Sequence, residues 1–318
     1  MHRQAIHRGR VSYEPNSLAG GCPFQAGRGG FVSFPAPPDG DKLRGKPERF
    51  ADHFSQATLF WRSQSEVERK HIVGGFRFEL TKVQTQAVRE RVIAMLANVD
   101  AGLAQQVADG LGIAVPPAQP RVLEPAVQSE VEVSPALSLM SRPGDGRVTT
   151  RKVALLVAEG ADAASLRAVQ TALLQAGAVP RVVGLRLGAL RPRGGDEALH
   201  VEVSLEAAPS VLWDAVVLCD DSGAAASLAA FAQAVDFVKE QYRHCKPILA
   251  LDGTASLLEA AGLPLLLPSG EADPGLFVCP SRKETDPALR TDADTVTAFI
   301  AGLARHRHYE RETDPPRV

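Results

Sequence analysis

Four cysteines are the first residues to test for chemistry: Cys22, Cys219, Cys245 and Cys279. A thiol acts as nucleophile or metal ligand through its thiolate, so the neighbouring charges decide what it can do. Cys219 is followed by Asp220 and Asp221, whose carboxylates oppose ionisation. It reads as a structural or merely reactive thiol. Cys245 stands between His244 and Lys246, a more electropositive setting, and reads as an oxidisable thiol at the start of a strand. No two cysteines share a CxxC spacing, so neither a zinc site nor a redox pair is indicated. His306 and His308 are the closest histidine pair. Two apart on a helix, they point away from each other and cannot chelate as an i, i+4 pair would. They read as a solvated helix end, within a terminal stretch RHRHYERETDPPR that has no binding signature. The segment AEGADAAS (158–165) has one glycine and no lysine, which leaves GxGxxG and Walker-type nucleotide loops unsupported.

The elements that would carry these residues fall into two patterns. From Ser63 the spacing is helical: Ser63 and Glu66 form a capping-box pair, and Ile72, Phe76, Leu80 and Val83 share one face. Gly74 and Gly75 interrupt that run at a point suited to close packing. A second run follows Thr85, with Val88, Val92, Leu96 and Val99, and resumes after a break at Asp100–Gly102 with Leu103, Val107 and Leu111. From Lys152 onward, strand and helix alternate. KVALLVA, PRVVGLRL, DAVVLCD and KPILALDG are strands, and the first of these is apolar throughout, as a strand buried on both faces requires. LHVEVSLEA alternates with period two, and LPLLL and LFVC are further short strand candidates. Helices are expected after Asp162, over 225–243, around Ser256–Ala261, and after a Thr291–Asp294 capping pair, with Val296, Phe299, Ile300 and Leu303 turned inward. This rhythm predicts a doubly wound α/β domain of flavodoxin type.

The organisation that follows is an extended arm over 1–50, a small helical domain over 51–114, a proline-rich linker over 115–150 and the α/β domain over 151–318. The arm is rich in Gly and Pro yet holds Tyr13, Phe24, Phe31, Phe34 and Phe50. That mixture suits a segment lying on another surface, or a plain linker. The 318 residues are 45% hydrophobic and 23% charged, with a net charge of −2, ordinary for a soluble globular protein. There is no bulk positive field for nucleic acid or an anionic membrane. Aromatic residues are 5%, too few for base-stacking platforms. No apolar run approaches the ~20 residues of a membrane span, and MHRQAIHRGRVSYEPNS lacks the apolar core of a secretory signal. With scattered thiols, these features predict a cytoplasmic protein.

Several irregular strings are far more specific than composition. VSYEPNSLAGGCPFQ (Val11–Gln25), the Gly29–Gly30–Phe31 step, DHFSQATLFWRSQSEVERKHIVGGFRFELTKV (Asp52–Val83), RVLEPAV, PALSLMSRPGDG and YRHCKPILAL resemble the large-subunit haem catalases of hydroperoxidase II type. The resemblance runs in one order from Met1 to Val318. It implies that the arm is a wrapping segment between subunits of a tetramer, and that 151–318 is the extra flavodoxin-like domain. The family disproportionates hydrogen peroxide with haem, and its distal His, distal Asn and proximal Tyr lie upstream of the point where Met1 aligns. Met1–His2–Arg3 then looks like the interior of a longer protein. The chain is expected to carry no catalytic, cofactor-binding or metal residue of its own, and its partners would be further copies or the catalase core.

Two residual chemistries remain to be weighed. Tyr13, Tyr242 and Tyr309 are the only tyrosines, with Arg10 and Arg243 near the first two. A phenolate ligand needs such an arginine, but neither context resembles the family's ligand helix, and all three read as packed or half-exposed tyrosines. The α/β domain is also similar to class I glutamine amidotransferase-like proteins, which carry a Cys-His-Gly step after a buried strand. Here KPILALDGTASLL places Asp252, Gly253 and Thr254 at that turn. A carboxylate is no substitute for a polarisable thiolate and no histidine follows it, which implies a non-catalytic member. A stand-alone interaction or chaperone-like module, and a small-molecule hydrolase relying on Cys219, are the alternative readings.

Overall fold

In a computed structural model of the chain, the residues described are 21–22, 24–30, 35–37, 39–41, 44–127, 129–142, 144–193, 198–218, 222–279 and 292–318. The chain divides into two units, Met1–Ala51 and Asp52–Val318. The first holds single turns of 3-10 helix at Gly27–Gly29 and Glu48–Ala51, with Phe24 and Phe50 exposed. Tyr13, Phe31 and Phe34 lie outside the described residues.

The second unit begins with four helices: α1 (Ser55–Arg62), α2 (Glu66–Lys82), α3 (Gln86–Val99) and α4 (Ala101–Leu111). Helix α1 was not anticipated, and it moves the capping box. Ser63 ends α1, donating its hydroxyl to the Leu59 carbonyl at 2.6 Å. Ser65, in extended backbone, therefore caps α2: its Oγ accepts from the Glu68 amide, and Glu68 accepts from the Ser65 amide at 2.8 Å. Asp100 both ends α3 and caps α4, accepting from the Leu103 amide at 2.9 Å, which is the anticipated break. Gly74 and Gly75 have nothing within 4 Å of where a Cβ would stand, so they serve no close packing. That role falls to Gly110, where a Cβ would collide with Arg77. Trp61, Val73, Leu80, Ile93, Leu103 and Val107 form the core of these helices.

The α/β portion comprises β1 (Lys152–Val157), α5 (Ala163–Gln175), β2 (Val179–Gly184), β3 (Gly188–Leu190), β4 (Leu199–Val201), β5 (Val203–Ser204), β6 (Ala215–Leu218), α6 (Ser222–Ala229), α7 (Ala232–Arg243), β7 (Ile248–Ala250), α8 (Ala255–Ala260), β8 (Leu276–Val278), α9 (Asp292–Arg305) and α10 (Glu310–Thr313). Six strands form one parallel sheet in the order β5-β2-β1-β6-β7-β8. Every residue of β1 after Lys152 is buried, as a central strand covered on both faces demands. The chain leaves β1 towards β2 and later returns to β6 on its other side, so the order in which strands are added reverses between β1 and β6 while every strand stays parallel.

Three local expectations change. LHVEVSLEA splits, because β4 turns aside to pair antiparallel with β3 while β5 joins the main sheet. The helix expected over 225–243 is two helices, broken at Ala230–Phe231, where Phe231 takes extended backbone (φ −103°, ψ 113°). LPLLL forms no strand beyond an isolated bridge from Leu266 to Ala272.

The linker is tied to the helices by buried polar groups. Ser138 Oγ and the Leu139 amide both donate to Glu68, at 2.7 and 2.8 Å. Arg121 donates to Asn98 Oδ1 at 2.9 Å, and Asn98 donates to the Gln119 carbonyl at 2.8 Å. Among the described residues, no helix is long and apolar enough to cross a membrane.

Candidate functional site

The turn after β7 stands where the sheet's strands end, the usual location of ligands in open α/β sheets. Leu251 is buried there and Gly253 adopts φ +81°. Thr254 donates its hydroxyl to the Leu251 carbonyl at 2.8 Å. The tight step is therefore taken by glycine, and Asp252 keeps ordinary backbone; no side chain is pushed up at a strained elbow. Beside this turn lies a groove of about 410 Å³ between α5 and α9, lined by Val169, Leu251, Asp252, Val296 and Ile300 among others. It is mainly apolar, and among the described residues its lining holds no thiol or imidazole. At the first loop, Asp162 accepts from the Ser165 amide at 2.8 Å and Glu159 accepts from the Arg191 amide at 2.8 Å. Carboxylates thus occupy the positions an anion would need. Cys219, Asp220 and Asp221 lie outside the described residues, as does Thr291.

The other weighed residues meet at the chain's C-terminal end, and several expectations reverse there. Helix α9 ends at Arg305; His306 turns left-handed (φ +69°) and His308 is fully buried. The pair is not a solvated helix end. His308 donates its backbone amide to the Cys245 carbonyl at 2.7 Å. Its imidazole is pushed down to about 4, by burial first and then by Arg305 and Arg311. Tyr242 is 1% exposed, a core residue, and the arginine over its ring is Arg311 at 4.0 Å. Arg243 instead reaches the Val318 carbonyl at 3.1 Å and pairs with Glu240.

Arg311 is the centre of this knot. Its Nε donates to Asp273 at 2.8 Å, and the side chains of the pair are 2% and 0% exposed. Its Nη1 donates to the Lys246 carbonyl at 2.8 Å. Cys245 is buried with a left-handed backbone (φ +56°), and its Sγ donates to Glu312 at 3.5 Å. Burial and the Glu312 carboxylate push this thiol up to about 12. The electropositive reading of Cys245 fails because Lys246 turns inward to the Ser210 carbonyl (2.6 Å), while Glu312 arrives from 67 residues away. Glu312 also meets His71 of α2 at 2.7 Å, and its carbonyl accepts from Lys70 at 3.2 Å. The C-terminal turn therefore straps the α/β portion to the helices. Nothing in the sequence near Arg311, Asp273 or Glu312 signals this; only their meeting in space does.

A match to the C-terminal domain found in long catalases covers residues 149–313, and a catalase-related immune-responsive match covers residues 47–111. This chain belongs to the long-catalase family. Similar proteins include Catalase HPII of Pseudomonas putida, 36% identical over 317 residues (98% of this chain, 41% of the relative). Catalase C of Rhizobium meliloti is 36% identical over 304 residues (96% and 40%), and Catalase-B of Dictyostelium discoideum is 31% identical over 327 (100% and 44%). The chain thus spans about two fifths of the length of these catalases.

Neither described tyrosine suits the axial position of a haem. An axial tyrosine must be ionised, but burial and the Asp273 carboxylate push the Tyr242 phenol well above its ordinary range. Arg311 beside it is already committed to Asp273. Tyr309, packed edge-on to His71 at 6.0 Å, is likewise pushed up by burial. Tyr13 lies outside the described residues.

Proposed function

We propose that this chain is the C-terminal portion of a haem catalase that converts two molecules of hydrogen peroxide to two of water and one of oxygen. By itself the chain is non-catalytic. Its role is to wrap and stabilise a cytoplasmic tetramer, with 1–50 crossing between subunits and 151–318 folded as a flavodoxin-like, amidotransferase-like domain. The observation that carries this reading is the alignment of nearly the whole chain with long catalases of which it represents two fifths. The chemistry of its own residues agrees. The phenol of Tyr242 and the thiol of Cys245 are held protonated, and Asp252 replaces the reactive thiol at the β7 turn. Phe60, Phe78 and Met95 of the helices stay exposed, apolar surface suited to a covering partner.

Oxygen evolution from peroxide provides the test. The purified chain, supplied with haemin, is expected to show no turnover above free haemin and no protein-bound haem absorbance. The same chain fused behind a long-catalase core is expected to restore both, and to raise the melting temperature of a core lacking it. Turnover by the chain alone, or a fused tetramer no more stable than the bare core, would sink the proposal.

A further inference from the structure

The groove between α5 and α9 is lined on each side by one helical stripe. On α5 the stripe is Ser165, Ala168, Val169 and Ala172; on α9 it is Ala293, Val296, Thr297 and Ile300. Both follow the i, i+3, i+4, i+7 spacing of a single helix face, and seven residues of helix span ~10 Å. The floor is Leu251 and Asp252, at the end of β7. Each helix is seated on the sheet by other side chains: Leu166 and Leu173 of α5, and Phe299 and Leu303 of α9, are buried in one core with the strands. The sheet therefore sets the distance between the two helices. Ala168, Ala172 and Ala293 are too short to close it. What remains is a groove of about 410 Å³, within the ~300–1,000 Å³ of small-molecule sites and placed where open α/β sheets hold ligands.

The lining also selects by polarity. Thr297 donates its hydroxyl to the Ala293 carbonyl at 2.9 Å, and the Ser165 amide is given to Asp162 at 2.8 Å. Both of these donors are spent. Asp252 is the one charged side chain of the lining among the described residues, and a carboxylate only accepts. It offers about four acceptor sites, so the interactions Asp252 already has leave capacity for another donor. The groove starts at the first turn of each helix, where the dipole is positive. Asp162, capping α5, and Asp294, in the first turn of α9, offset that pole. An apolar ring carrying a cationic donor therefore suits this lining. A carboxylate or phosphate would meet Asp252 as a like charge.

We propose that this groove binds a small aromatic amine, with its ring between the stripes of α5 and α9 and its ammonium group on the Asp252 carboxylate. The ring gains by leaving water for the apolar walls, and the charge-assisted bond to Asp252 fixes which way it enters. The ~10 Å stripes leave room for a bicyclic ring and not for a protein segment. This binding goes beyond the structural role proposed above and does not depend on it.

The test is calorimetric titration of the full chain with three probes that share one ring: tryptamine, 3-methylindole and indole-3-acetate. Tryptamine is expected to bind saturably and to raise the melting temperature. Loss of one charge-assisted contact weakens binding about tenfold, so 3-methylindole should bind about tenfold more weakly. Indole-3-acetate should show no saturation where tryptamine saturates. Asp252→Asn should weaken tryptamine about tenfold and leave 3-methylindole unchanged. Should Asp252→Asn fail to fold, the three probes on the parent chain still decide the role of charge. Ala168→Leu places a larger side chain in the groove from an exposed helical position; it should weaken tryptamine and 3-methylindole alike, at least about tenfold, without lowering the melting temperature. Absence of saturable tryptamine binding, equal affinity for tryptamine and indole-3-acetate, or parental affinity in Ala168→Leu would overturn the proposal.

Discussion

Replacing Arg311 with methionine probes the C-terminal knot directly. The substitution keeps most of the apolar volume but removes the guanidinium, leaving Asp273 with a 0% exposed side chain and the Gly275 amide, at 2.8 Å, as its remaining donor. The Lys246 and Tyr242 carbonyls lose a shared donor at 2.8 and 3.3 Å. Breaking a buried pair from one side costs ~3–5 kcal/mol, because the partner charge stays buried. The cation–π contact with Tyr242 at 4.0 Å is worth up to ~2 kcal/mol when desolvated, and entry of water offsets part of the loss. A destabilisation of about 4 kcal/mol is expected, roughly 10 °C in melting temperature for a domain of this size. The two tryptophans allow a clean assay, since Trp61 sits in the helical core and Trp213 in the α/β core. Urea unfolding of a Trp61→Phe background, followed by fluorescence, reports the α/β portion alone. Arg311→Met with Asp273→Asn removes both charges and should recover at least half the loss. A single-variant loss below about 1 kcal/mol, or a double variant costing the sum of both singles, would refute this reasoning.

Acid should destabilise the protein in two windows. His308 binds its proton less readily folded (about 4) than unfolded (6.5), so its stabilising contribution is present above pH 6.5 and lost as pH falls towards 4; urea unfolding of His308→Gln should be flatter across that range. Asp214 is lowered from 3.8 to about 2 despite partial burial, through His306, the Lys152 amide and Arg151; its contribution is lost only between about pH 4 and 2, and Asp214→Asn should remove that step. Thiol labelling at pH 8, read site by site by mass spectrometry, should modify exposed Cys22 well before buried Cys245. A thiol at about 12 is about one part in ten thousand thiolate there. Glu68→Ala should free the Ser138–Leu139 segment held by two bonds to that carboxylate, and limited proteolysis should then cut within 134–142 several-fold faster than in the parent.

Local chemistry was legible wherever neighbours in sequence decide the outcome. The apolar run of β1, the Asp162 cap on α5, the Asp100 break between α3 and α4 and the inward face of α9 each follow from adjacent residues. Segment strings carried the family, since long irregular runs are specific without any structure. Register was less secure. The capping box moved from Ser63 to Ser65 because an unrecognised helix already claimed Ser63, and 225–243 broke in two at Phe231.

The candidate sites depended on residues far apart in the chain. A charged terminus such as RHRHYERETDPPR looks solvated in one dimension, because nothing nearby could pay for burying arginine and histidine. Folding brings Asp273 to Arg311 across 38 residues and Glu312 to Cys245 across 67, turning an apparently open tail into a buried strap. The same long-range placement reverses the setting of Cys245 and brings Arg151 and His306 onto Asp214. Sequence determined the family, the alternation of strands and helices and the absence of a thiol at the β7 turn. Tertiary structure alone decided which charges are paired, because desolvation and Coulomb interactions depend on distance in space and not on separation along the chain.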